Sequence, residues 1–77
     1  MTAMTLAQLE SEVLLREAEG RDRMILCVTR AHPPRGRHVR VLPGVLGTMV
    51  GYAGGSITVD VGVRDLRRYL DRVRRAP

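Results

Sequence analysis

The chain has no lysine, no tryptophan and no phenylalanine among its 77 residues, and it has a single cysteine, Cys27. Each absence closes off a class of protein. Without lysine there is neither a Schiff-base nucleophile nor the phosphate-gripping residue of a Walker loop. One cysteine makes no internal disulfide, which rules out the stapled frameworks of small secreted domains and leads us to expect a reducing, cytoplasmic setting. Aromatic side chains are limited to Tyr52 and Tyr69, so a core must be built from Val, Leu and Ile. No stretch approaches the roughly 18 apolar residues that cross a bilayer. Met1 to Leu9 also lack the basic start and apolar run of a signal peptide, so no membrane attachment is expected.

What is present is a globular composition, 44% hydrophobic and 27% charged, in one domain spanning residues 1–77. A chain of this length buries only about 60 to 65% of the surface its unfolded form exposes, so its core is thin. The net charge of +5 is unevenly spread. In the first 22 residues Glu10, Glu12, Glu17, Glu19 and Asp22 outnumber Arg16 and Arg21; thereafter eleven arginines face only Asp60, Asp65 and Asp71. One part of the molecule is therefore expected to be strongly electropositive. Exclusive use of arginine fits a GC-rich coding sequence as readily as a selective use of guanidinium groups.

Periodicity divides the chain into six elements. Leu6, Leu9, Val13 and Leu14, with Leu15 and Ala18 beside them, give a helical stripe over about 5–19. Thr5 and Gln8 stand at the capping-box positions, Met4 and Leu9 at those of a hydrophobic staple, and Gly20 is the natural stop. Glu12 and Arg16 are spaced as a helical ion pair. The run from Met24 to about residue 30 reads as a buried strand, ended by His32-Pro33-Pro34-Arg35-Gly36, through which no helix can pass. Further strands are expected at about 37–42, 45–51 and 56–61, with Pro43-Gly44 as a turn and Gly51, Gly54 and Gly55 framing a tight connection. From 63 to 75, Val63, Leu66, Tyr69, Leu70 and Val73 form one stripe of a second helix whose other faces are rich in arginine. This order predicts an α+β domain in which a four-stranded antiparallel meander lies between two helices.

Within it, the stretch GRHVRVLPGVLGTMVGYAGGSITVDV from Gly36 to Val61 resembles the KOW motif and related SH3-like small barrels. Gly36, Val39, Val41, Gly44, Gly47, Met49 or Val50, and Val59 with Val61 fill the places of that glycine and valine pattern. The resemblance covers about a third of the chain and implies a strongly curled sheet. It further implies binding of RNA, of ribosomal or transcription components, or of other proteins, and no catalysis.

Catalytic and metal chemistries find little support in the residues themselves. Cys27, His32 and His38 match no zinc spacing, and no cofactor or metal is expected. Cys27 lies in an apolar run, where burial would keep the thiol inert. Gly54-Gly55-Ser56 lacks the glycine at position 58 that a nucleophile elbow needs, and the glycines fall between strands rather than ahead of a helix. Asp71 is spaced to pair with Arg67 or Arg75, which leaves no obvious catalytic carboxylate pair.

The arginines remain, in two clusters. Arg30, Arg35, Arg37 and Arg40, with His32 and His38, surround the proline loop; Arg64, Arg67, Arg68 and Arg72 lie on the last helix. Clustered guanidinium groups are the electrostatic footprint of a phosphate-binding surface, and Tyr52 is available to stack on a base. The first expectation is thus a non-enzymatic nucleic-acid-binding module. The alternative is a protein-interaction module for an acidic partner, such as an adaptor, a phage- or plasmid-encoded inhibitor or an assembly subunit, with a homodimer contact through the N-terminal helix.

Overall fold

The structure, a computed structural model, describes residues 4–76. It contains α1 (Leu6–Ala18), β1 (Arg23–Thr29), β2 (His38–Leu42), β3 (Val45–Ala53), β4 (Ser56–Gly62) and α2 (Val63–Arg75). The start of α1 is fixed by its sequence. The Thr5 hydroxyl accepts from the Gln8 amide at 3.1 Å while the Gln8 side chain accepts from the Thr5 amide at 2.9 Å, a reciprocal capping box. Its end is a Schellman motif, in which the Arg21 and Gly20 amides donate to the Arg16 and Glu17 carbonyls and Gly20 takes a φ of 71°.

The four strands form one antiparallel sheet in the order β1-β4-β3-β2. Strands β2, β3 and β4 follow one another as a meander, whereas β1 lies on the far side of β4 instead of beside β2. The α+β order of helix, four antiparallel strands and helix is as expected, but the sheet is not closed: β1 and β2 are its two outer strands, and the small SH3-like barrel that the resemblance implies is not confirmed. Closure is one way to hide a sheet's apolar face; here two 13-residue helices cover it instead. Curling is nonetheless pronounced. The Arg30 guanidinium, just past β1, donates to the carbonyl of Arg40 on β2, whereas in a flat sheet three strand spacings, about 14 Å, would separate the outer strands.

Met24, Leu26 and Val28 of β1, Val39 and Val41 of β2, Val45 of β3 and Ile57, Val59 and Val61 of β4 form the covered face. Against it pack Leu9 and Val13 of α1 and Val63, Leu66 and Leu70 of α2, with Tyr69 partly buried at the margin. Each fully buried Leu or Val contributes about 1.5 to 3 kcal/mol, so a core this small has little redundancy. Gly47 is required by the packing: a Cβ there would overlap the Val59 side chain.

Two expectations fail on the same ground. Strand β1 was expected to be buried throughout, but its residues alternate, and Arg23, Ile25, Cys27 and Thr29 point to an uncovered face. Cys27 is therefore exposed rather than part of the core. In α1 only Leu9 and Val13 are buried, while Leu6, Leu14 and Leu15 are exposed, because this helix meets the rest of the protein along a narrow stripe and packs chiefly on α2.

Candidate functional site

The thirteen arginines separate by what their guanidinium groups do. Two of them join the helices, which run antiparallel to each other. Arg67 of α2 donates to both carboxylate oxygens of Glu17 at 3.0 and 2.7 Å and lies 3.7 Å from Asp71, and Arg74 pairs with Glu10. Two carboxylates of the acidic first helix are thus paired with two guanidinium groups of the basic last helix. The Arg67 hydrogen bonds hold the Glu17 carboxyl below the usual carboxylate range, and they raise the Arg67 pKa in turn.

Other arginines are occupied more locally. Arg72 donates to the Pro43 carbonyl at 2.8 Å, lies 5.9 Å from the centre of the Tyr69 ring and packs beneath Gly44 of the β2–β3 turn. Arg16 pairs with Glu12 at 2.9 Å, Arg23 with Asp60 at 3.0 Å, Arg21 with Glu19 at 3.7 Å and Arg68 with Asp65 at 3.5 Å. Arg75 donates to the Asp71 carbonyl. Arg30 is only partly exposed, and its Nε is buried without a partner, so its charge belongs to the fold more than to the surface.

Four arginines, Arg35, Arg37, Arg40 and Arg64, make no hydrogen bond or ion pair among the described residues. Three of the four fall within six consecutive positions, in a segment from Arg23 to Val59 that contains no acidic residue. All four are exposed. Arg35, Arg37 and Arg40 are therefore exposed, unpaired and close in sequence, with His32 and His38 exposed in the same segment, whereas the guanidinium groups of Arg30, Arg67 and Arg72 are engaged within the fold. Arg64 and Arg68 stand apart. Arg64 lines a cleft of about 660 Å³ between the end of α1 and the start of α2, where Arg21, Arg23 and Arg67 are mixed with Glu17 and Asp65. The two arginine clusters do not merge, because α2 covers the apolar face whereas Arg40 alternates with buried Val39 and Val41 and turns away from it.

The loop that carries the strip is pinned at both ends to the β3–β4 hairpin. The Arg30 amide donates to the Gly55 carbonyl at 2.8 Å and the Met49 amide donates to the Arg37 carbonyl at 2.6 Å, so residues 31–36 pass the outer half of that hairpin. The hairpin's tip is a two-residue turn, Gly54-Gly55, with φ of 55° and 84°, values that glycine adopts without strain. Just before it, Tyr52 is 46% exposed, and a register shift near Val50 marks a bulge beside it. The ring and the basic loop thus share one end of the sheet, although Tyr52, opposite Ile57 in the register, projects from the covered side and Arg40 from the uncovered one.

Across the uncovered face, Ile25 pairs with Asp60, Asp60 with Thr48 and Thr48 with His38. Cys27 on β1 and His38 on β2 are separated by the two central strands, and among the described residues no group of three or more His, Cys, Asp or Glu could hold a metal ion. No described helix is long and apolar enough to cross a membrane. No protein-family model, curated protein or solved structure matches the chain.

Proposed function

We propose that this chain is a non-catalytic binding module that holds the phosphate backbone of a nucleic acid with Arg35, Arg37 and Arg40. The observation that carries this reading is the contrast in pairing: nine arginines are engaged within the fold, and three of the four that are not lie in one acid-free strip. Guanidinium groups left unpaired on a surface are free to form bidentate contacts with phosphate at no cost in broken internal bonds. The likeness of Gly36 to Val61 to the KOW motif supports the same reading on sequence grounds. A reducing cytoplasm is the setting it implies, one in which the exposed Cys27 stays a free thiol. The test is purification at low salt with and without nuclease. Nucleic acid should co-elute, be lost on nuclease treatment and be displaced steeply by salt; a nucleic-acid-free protein that does not bind oligonucleotide at 50 mM salt, about the low end of the range where such contacts are strong, contradicts the reading.

A protein partner is the second reading, favoured by one observation. Leu46 is 61% exposed on the open face of the sheet, opposite Arg40, and Ile25, 55% exposed, lies on the same face at the other outer strand. An acidic partner with an apolar centre would suit that surface. In the same purification it would appear as a protein that co-elutes whether or not nuclease is added.

A further inference from the structure

We propose that the nucleic acid is single-stranded, and that it follows the 31–37 loop around the end of the sheet with one base stacked on Tyr52. This rests on the nucleic-acid reading above and narrows it. Reading a duplex in its major groove calls for a helix or a two-stranded ribbon that can enter about 12 Å of width. Neither helix is free for that. The apolar stripes of α1 and α2 are committed to the core, and the arginines of α2 alternate with Asp65 and Asp71, which lie within ion-pair distance of Arg68 and Arg67.

The unpaired positive charge lies instead on a loop and an outer strand, which suits a flexible backbone that can follow an extended chain. At the same end of the sheet as the loop, Tyr52 has the properties of a stacking platform. Its ring is 46% exposed, whereas Tyr69 is partly buried with Arg72 over its face, and the Tyr52 hydroxyl has no hydrogen-bond partner among the described residues. An unoccupied aromatic face at the same end of a domain as a basic loop suits a single strand, since every base offers a π-face. Pro33 and Pro34 restrict the backbone of the loop between its two tethers to the hairpin.

The absence of tryptophan makes the test direct, because intrinsic fluorescence comes only from Tyr52 and Tyr69. In a Tyr69→Phe variant Tyr52 is the sole emitter. Oligothymidylate should quench most of its emission at low salt, and a duplex of equal length should not. With a labelled oligothymidylate, Tyr52→Ala should weaken binding by roughly ten- to a hundredfold, while Tyr52→Phe, which keeps the ring, should bind as the parent does; circular dichroism of both variants checks the fold. Equal affinity for duplex and single strand, with no quenching and no effect of Tyr52→Ala, would overturn the single-strand assignment and leave the nucleic-acid reading standing. Failure of both probes to bind would remove both.

Discussion

The basic helix α2 and the basic loop before β2 look alike in the sequence and differ in what their charges do. In α2, Arg67 and Arg74 reach across to α1, Arg72 reaches to the β2–β3 turn, and Arg68 and Arg75 meet groups of their own helix. In the loop and β2, Arg35, Arg37 and Arg40 meet nothing, and only Arg30 is drawn into the fold. Proximity to acids decides the matter: Glu10 and Glu17 of α1 meet α2, which also carries Asp65 and Asp71, whereas the loop lies in the acid-free segment. Under the proposed function, the unpaired arginines rather than all of them are the ones free to meet a phosphate.

Several substitutions would break or sharpen that contrast. The largest effect is expected from the triple change Arg35→Ala, Arg37→Ala and Arg40→Ala, which should weaken oligonucleotide binding by roughly ten- to a hundredfold at low salt and leave the thermal midpoint unchanged. Arg30→Ala should behave in the opposite way. It removes a charge-assisted bond between the two outer strands and should cost about 1.5 to 3 kcal/mol of stability, measured by chemical denaturation, with a smaller change in affinity. Arg72→Ala, at an exposed position, loses one bond to the Pro43 carbonyl and should cost about 0.5 to 1.5 kcal/mol, with no change in affinity.

The smallest effect is expected from acid. Because the Glu17 carboxyl titrates below its usual range in the folded protein, its pairing with Arg67 stabilises the fold above the ordinary carboxylate pKa. That contribution fades as pH falls through the lowered folded value. Unfolding curves of Glu17→Gln and the parent should therefore differ at neutral pH and converge on acidification. A difference that grows in acid would contradict the α1–α2 pairing.

Much of the scaffold was legible beforehand because local chemistry fixes it. The Thr5 to Gln8 capping box, the Gly20 stop, the Val63 to Arg75 stripe and the alternation of Ile57, Val59 and Val61 all appear as read, since each depends on neighbours in sequence. Strand order did not follow from the sequence. Nothing local to Met24–Thr29 says that it pairs with β4 instead of β2, and an uncharged run of β-forming residues gives the same pattern whether one face is covered or both, which is why Cys27 was misplaced. The candidate site was half legible. The strip of Arg35, Arg37 and Arg40 is plain in the sequence, but the engagement of Arg30, Arg67 and Arg72 within the fold depends on partners 10 to 50 residues away. The place of Tyr52 at the same end of the sheet as the loop depends on the bonds of Arg30 to Gly55 and of Met49 to Arg37.

The most direct test compares two triple variants of equal charge change, one lacking Arg35, Arg37 and Arg40 and the other lacking Arg68, Arg72 and Arg75. The quantity to measure is the slope of log affinity for a single-stranded oligonucleotide against log salt concentration. The loop variant should flatten the slope by about 2 to 3 units, close to one per lost phosphate contact, and the α2 variant should leave it nearly unchanged. Equal flattening by the two variants, or a larger effect from α2, would contradict the assignment of binding to the unpaired arginines.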